Sequence, residues 1–189
     1  MDLFVEGLAL ARTRTLRPLV QGSIEEPSFG GAFDLIGAFD VIEHLDDDLN
    51  VLRSVRAMLK PRGVLLLTVP AHQSLWSYFD EVSHHRRRYE PNELCTKLNG
   101  TGYRVEFCSL FMAATYPILW FTRRIRSMRH ASDPDSTEIN RALTLKELRI
   151  MGGVNGLLTF LLMPEVSLLR SRIRLPFGSS LIAVATRTE

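Results

Sequence analysis

The amino-acid sequence predicts an α/β fold built on a doubly wound sheet, and three observations carry that expectation. Short apolar runs bounded by turn residues alternate with segments of helical periodicity. The runs are continuous in apolar character, as in parallel strands covered on both faces. A chain of 189 residues with 46% hydrophobic and 23% charged side chains is long enough to bury a sizeable core in one domain.

Leu3, Leu8, Leu10 and Ala11, with good helix formers between them, predict a first helix running to about Arg14. LRPLVQG (Leu16 to Gly22) is a short strand candidate closed by Gly22. FDLIGAF (Phe33 to Phe39) is a second, of the buried parallel type. Asp46, Asp47 and Asp48 then open a helix, as acids favour a helix N-terminus. Leu49, Leu52, Val55 and Leu59 recur along it at helical spacing, and Pro61 and Gly63 close it. VLLLTVP (Val64 to Pro70) is the third strand and the most hydrophobic. PNELCTKLNGTGY gives a short helix stopped by Gly100 and Gly102, followed by the strand YRVEFCS.

After Leu110 the rhythm breaks. FMAATYPILWFTRRIRSMR is apolar then basic, HASDPDSTEIN has linker composition, and MGGVNGLLTFLLMPEVSLLRSRIR is apolar then basic again. SSLIAVATRTE ends the chain as a strand by its alternation and β-branched content. Roughly 70 residues of amphipathic helical character therefore separate the last two strands, longer than an ordinary connection. The expected division is a partial core at residues 1–111, a helical cap at 112–175 and a final core strand at 176–189.

A formal net charge of +2 is too small to argue for a nucleic-acid partner. The basic character is local, at Arg86, Arg87 and Arg88 and between Arg123 and Arg174. Cys95 and Cys108 lack metal-binding spacing and fit a reduced, cytoplasmic compartment. The first residues, MDLFVEGLALARTRT, do not read as a secretory signal.

FDLIGAFDVIEHL, LRSVRAMLKPRGVLLLTVP, HHRRRYEPNEL and TGYRVE, in that order, resemble the class I S-adenosylmethionine-dependent methyltransferases of the broad methyltransferase-domain group. The similarity runs from Asp2 to about Phe111 and resumes with the final strand. Its most specific part is the DVIEHL turn followed by LKPRG and a strand ending in Pro70. The resemblance implies a Rossmann-like sheet with S-adenosylmethionine at the carboxyl ends of the first strands, the usual place for a ligand of an open parallel sheet. It implies that Asp2 holds the ribose hydroxyls, that Ser23 and Ile24 contact adenine, and that Phe39 and Asp40 lie beside the methionine moiety. The family usually has Asp at the position of Ser23. Asp2 also reads as a helix N-cap, and Ser23 as a turn residue. Family members carry a strand and a GxGxG-type loop ahead of these elements, and none of the 12 glycines makes that loop in the required place. The resemblance therefore implies an N-terminally truncated sheet, weakened cofactor binding, and open strands available to another chain, such as a homodimer partner.

The strand FDLIGAF ends abruptly in Asp40, Glu43 and His44. Either the chain is leaving the core there, or the strand end is the floor of an active site. Methyl transfer to a hydroxyl requires loss of a proton, which a histidine or a bound cation can promote. His44 is the candidate base, with Glu43 beside it. Glu43 and His44, with His84 or His85, also resemble the metal site of the small-RNA 2'-O-methyltransferases and the ubiquinone-pathway O-methyltransferases. HHRRRY is expected to present His84, His85, Arg86, Arg88 and Tyr89 to an anionic acceptor. Alternatively it is a loop whose arginines pair with Asp80 and Glu81. The apolar stretch from Ile150 to Leu169 approaches bilayer length, but Gly152, Gly153, Gly156, Pro164 and Glu165 argue against a spanning helix. An interfacial helix pair with peripheral membrane contact, a buried cap and a dimer interface are the alternatives. The expected function is methyl transfer to an oxygen of a small or lipid-linked acceptor. The second reading is a non-catalytic, methyltransferase-like scaffold that dimerises.

Overall fold

In chain order the elements are α1 (Val5–Arg12), β1 (Phe33–Phe39), a 3₁₀ turn (Ile42–His44), α2 (Asp48–Met58), β2 (Leu59–Pro70), a second 3₁₀ turn (Gln73–Leu75), α3 (Tyr78–Val82), α4 (Pro91–Gly100), β3 (Tyr103–Phe111), α5 (Gly152–Arg170) and β4 (Ser180–Arg187). They come from a computed structural model that describes residues 1–27, 29–117, 119–121 and 152–189. Most of the basic stretch that begins at Arg123, the HASDPDSTEIN segment and Ile150 lie outside the described residues.

Among the described residues four strands form one mixed sheet in the order β1-β2-β4-β3. β1 and β2 are parallel, with Ala38 opposite Leu67. β4, the last strand in sequence, lies antiparallel between β2 and β3. The carboxyl ends of β1, β2 and β3 thus share one end of the sheet. Leu65, Leu67 and Val69 of β2 and Leu181, Ala183 and Ala185 of β4 are buried with Val51, Leu52 and Val55 of α2 and Leu94 and Leu98 of α4.

Three expectations need correction. LRPLVQG forms no strand. Among the described residues its one sheet-like bridge is from Gln21 to Asp2, and Pro18 has no N–H to offer a ladder. FDLIGAF is a strand but is not covered on both faces: Leu35 is 60% and Phe39 57% exposed. Among the described residues only β2 pairs with it, so its apolar run lies at an edge. The helix opened by the aspartates stops at Met58, whereas Pro61 and Gly63 lie inside β2. The β1–β2 register jumps there, from Phe33 opposite Leu59 to Leu35 opposite Val64, and the extra residues form a bulge. Arg62 takes a left-handed φ of 64°. A Cβ on Gly63 would stand 2.9 Å from the Lys60 carbonyl oxygen, so the bulge has no room for a side chain.

Two buried acids tie helices to the rest. At the start of α2 the Asp47 side chain accepts the Asn50 N–H at 2.9 Å, a conventional N-cap. Asp48, by contrast, turns inward. Its Oδ2 accepts from Lys97 at 2.5 Å, the Tyr89 hydroxyl at 2.8 Å and Arg87 at 3.3 Å, joining α2 to α4 and the segment before it. Glu165 of α5 is also buried. Its carboxylate accepts the N–H groups of Met112 and, at 2.8 Å, Ala113. This fastens α5 to the carboxyl end of β3. No helix among the described residues is long and apolar enough to cross a membrane.

Burial alone would raise the Asp48 carboxyl, but the hydrogen bonds from Lys97 and Tyr89 outweigh it and hold the group below its ordinary value of 3.8. A carboxylate depressed in this way stabilises the fold fully above its unfolded pKa, and that contribution disappears as pH falls through the lower folded value. Asp48→Ala leaves Lys97 without its buried partner and is expected to cost about 3–5 kcal/mol near neutrality. Urea denaturation of both proteins checks this. The gap between them should narrow as pH falls below the ordinary value of 3.8 and through the depressed folded value.

Candidate active site

β1 ends at Phe39, whose ring lies over the backbone of Gly37. A Cβ at Gly37 would meet that ring at 2.9 Å. Asp40 then turns the chain with φ of 51°, a left-handed conformation that Asp tolerates better than most residues. The turn is held from β2: the Asp40 N–H donates to the Thr68 carbonyl at 3.1 Å and lies 3.2 Å from Thr68 Oγ1. The Thr68 hydroxyl donates to Asp40 Oδ1 at 3.3 Å. In the following 3₁₀ turn Ile42 fills the core, Glu43 is fully buried and His44 faces outward.

The HHRRRY segment reaches this point because its backbone is stitched to two elements. After α3, His84 reverses the chain with φ of 57°. The Tyr89 N–H donates to the Pro70 carbonyl at 2.9 Å and the His72 N–H to the Tyr89 carbonyl at 3.0 Å, which extends the sheet past the end of β2. The Arg86 N–H donates to the Glu43 carbonyl at 2.7 Å. The His44 and His85 rings meet edge to face, with centroids 4.8 Å apart. Glu43, His44 and His85 each offer a ligand atom, all within 4.8 Å of one another.

Asp80 holds this arrangement from behind. It is fully buried. Its Oδ2 accepts the Ser77 N–H at 2.9 Å and the Ser77 hydroxyl at 3.2 Å. Its Oδ1 accepts Arg88 Nε at 2.7 Å and lies 3.0 Å from His85 Nδ1. A carboxylate in that position accepts from Nδ1 and orients the ring. Burial pushes the Glu43 carboxyl up to about 8, with the nearby Asp40 charge adding to the effect. Neither Glu43 oxygen has a hydrogen-bond partner among the described residues. Burial and the neighbouring His85 lower the pKa of His44.

The other expected site residues divide into three groups. Asp2 is exposed, and its Oδ1 accepts the Phe4 N–H at 2.9 Å at the start of α1. Ser23 accepts the Glu25 N–H at 3.1 Å, as a turn residue does, and Ile24 packs against the core. The two segments are neighbours: the Asp2 N–H donates to the Val20 carbonyl at 3.1 Å and the Gly22 N–H to the Asp2 carbonyl at 3.0 Å. His84 and Arg86 remain exposed, with Arg86 paired to Asp46 at 3.2 Å. Arg88 and Tyr89, expected to face the acceptor, are buried instead. Arg88 is consumed by Asp80 and the Ala71 carbonyl. The Tyr89 hydroxyl is consumed by Asp48, and its pKa is raised by burial first and then by that hydrogen bond.

Sequence reasoning missed Asp80 as an orienting group. The available signal was Ser77 followed three residues later by Asp80, the spacing of a reciprocal helix cap. It also passed over His72, which lies 2.9 Å from Glu90 and edge-on to the Tyr116 ring.

Comparisons with known proteins agree with the fold. A family model described as a methyltransferase domain matches residues 2–106, more than half of the chain. A search of curated proteins gives no match. Among solved structures, an S-adenosylmethionine-dependent methyltransferase from Archaeoglobus fulgidus superposes with a TM-score of 0.57 at 17% identity, covering 98% of this chain and 74% of that one. One from Mesorhizobium loti gives 0.54 at 14% identity, covering 98% and 78%. The [4+2]-cyclase SpnF gives 0.56 at 14% identity, covering 96% and 60%. At these identities the likeness is one of fold.

The interior placement of Arg88 can be tested by denaturation. Arg88→Met strips a buried carboxylate of its cation and is expected to lose about 3–5 kcal/mol. Arg86→Ala, at the surface, should stay within about 0.5 kcal/mol of the parent. Equal stability of the two variants would put Arg88 back in solvent.

Proposed function

Because the chain belongs to the methyltransferase-domain family, whose methyl donor is S-adenosylmethionine, we propose that it methylates a hydroxyl oxygen of a small or lipid-linked acceptor. The observation that carries this reading is the convergence of Glu43, His44 and His85 at the carboxyl ends of β1 and β2. Transfer to a hydroxyl needs a place for the proton to go, and this is the ionisable cluster beside the strand ends where the family's cofactor lies. The cofactor supplies an electrophilic methyl group on a positively charged sulfur.

The residues present fit that cofactor in part. The exposed Phe39 ring offers an apolar surface at the strand end, and Asp40, with one oxygen held by Thr68, keeps a second for an ammonium group. Asp2, bonded through its backbone to Val20 and Gly22 just ahead of Ser23 and Ile24, would bring the ribose and adenine contacts together. Proximity and orientation supply most of the rate in such a displacement, so the chain's main task is to hold the acceptor oxygen in line.

An apolar acceptor is supported by α5. Phe160, Leu161, Met163 and Val166 are exposed along it, and Ile173 and Phe177 follow among Arg170, Arg172 and Arg174. Exposed apolar side chains interspersed with arginines suit an interfacial site, and Glu165 fixes this helix at the same end of the sheet as the cluster.

Incubation with S-adenosylmethionine labelled in its methyl group, against matched hydroxyl, amine and thiol acceptors, tests the reaction. Label is expected on oxygen, and label confined to nitrogen or sulfur would sink the proposal. Glu43→Ala and His44→Ala should each lower turnover by roughly 10²- to 10⁴-fold, with cofactor affinity nearly unchanged by calorimetry. Sedimentation with vesicles tests the α5 reading. The protein should bind anionic vesicles more than neutral ones, and Phe160→Ser with Met163→Ser should release it. Indifference to vesicles would make α5 a cap.

A further inference from the structure

We propose that His72, Glu90 and Tyr116 form a second acceptor-binding point, which holds a hydroxyl other than the one that is methylated, so that the preferred acceptor is polyhydroxylated. This rests on the proposed transfer to oxygen and names its acceptor class.

The three residues come from different parts of the chain and meet just beyond the carboxyl end of β2. The His72 N–H donates to the Tyr89 carbonyl at 3.0 Å, and the His72 carbonyl accepts the Leu75 N–H at 2.9 Å. Fixed from both sides, His72 takes a left-handed φ of 62°, which costs a residue with a Cβ more than it costs glycine. Residues held in such conformations collect at ligand sites. Glu90 aims the ring, with its Oε2 2.9 Å from Nδ1, and stands at the N-cap of α4, a favourable place for an acid. The Tyr116 ring meets the imidazole edge to face, with centroids 5.8 Å apart. Neither His72 Nε2 nor the Tyr116 hydroxyl has a hydrogen-bond partner among the described residues, and the His72 side chain is 21% exposed. A ligand can therefore meet both.

The placement suits one acceptor held at two points. Glu90 lies five residues beyond His85, and an extended chain of that length spans at most about 17 Å, so a single polyol or glycoside can reach from the Glu43–His44 end of the segment to its His72 end. Tyr116 follows Met112 and Ala113, which Glu165 of α5 holds by their N–H groups, and its own N–H donates to the Ala113 carbonyl at 3.2 Å. The second point thus adjoins the attachment of α5, where the apolar part of the acceptor would lie. The chemistry of the three groups selects hydroxyls. A ring nitrogen oriented by a carboxylate accepts from an O–H, a phenol both donates and accepts, and an aromatic face packs on the C–H groups of a polyol. The Glu90 carboxylate repels a phosphate or carboxylate at this point.

The test uses the full chain and saturation-transfer NMR, with glycerol and methyl hexopyranosides as probes and propan-1-ol and propylamine as controls. Polyols are expected to bind saturably and more tightly than either control. His72→Gly should weaken polyol binding about tenfold, the worth of one hydrogen bond, and His72→Gln should restore part of it. Glycine suits the left-handed backbone, so that variant remains informative about the ring. With S-adenosylmethionine labelled in its methyl group, His72→Gly should raise KM for a polyol about tenfold with kcat nearly unchanged. The absence of saturable polyol binding, parent-like binding by His72→Gly, or tighter binding of propylamine overturns the site. Label on simple alcohols and polyols alike, unaltered by His72→Gly, keeps the transfer and removes the second point. Polyol binding that depends on His72, without label on any oxygen, counts against the transfer and leaves the second point standing.

Discussion

The buried Asp80–Arg88 pair is the contact on which the candidate site depends. A carboxylate and a guanidinium taken out of water gain little net stability unless their remaining hydrogen-bonding capacity is met. Here it is met on every side named: Ser77 gives Asp80 two donors, His85 faces it with a third group, and the Ala71 carbonyl accepts from Arg88. What the pair secures is position. It fixes His85 and the backbone around Arg88 beside the end of β2, where Tyr89 and His72 continue the ladder. At the start of α2, Asp48 gathers Tyr89, Lys97 and Arg87. The HHRRRY segment is therefore clamped between two buried acids, and its cationic residues have unequal fates: Arg88 is structural, Arg87 is half-buried on Asp48, and Arg86 reaches solvent.

The sheet explains why ionisable groups collect where they do. The interior strands β2 and β4 place apolar residues against the helices, and a chain leaving such a strand can present polar side chains only at its ends. β4 enters antiparallel between β2 and β3, so three carboxyl ends stand together, and the tether from Glu165 to Met112 and Ala113 brings α5 to that same end. Glu43 is the exception to the rule that the strand end is where the chain meets water. The 3₁₀ turn puts Ile42 and Glu43 inward and His44 outward, and the Arg86–Glu43 backbone bond holds it so.

Much of the fold was legible because β2, β4, α2 and α4 bury their own periodic faces, and periodicity is what a sequence displays. The failures share a physical cause. Pro61 and Gly63 are helix-stopping residues in any local reading, and only the β1–β2 register shows that they form a bulge inside a strand. The apolar run of β1 says that it is buried somewhere, but not that among the described residues a single strand pairs with it. LRPLVQG contains β-type residues, but a strand needs a ladder, and it has one bridge.

The site was half legible for a related reason. Glu43 and His44 stood out because a charged pair after an apolar strand is locally anomalous. His85 was named only through the resemblance and as an alternative to His84, and a long-range fact decides between them: the hydrogen bond from Arg86 to Glu43 across the end of the sheet. Arg88 looked like a surface cation because three arginines in a row carry no alternation from which burial can be read. Its fate was decided by Asp80, eight residues earlier, whose own burial follows from the cap it forms with Ser77. The order of causes is local, then distant: a helix cap buries an acid, the acid draws in an arginine, the arginine fixes a loop, and the loop sets one histidine against another beside a carboxyl group that has no partner of its own.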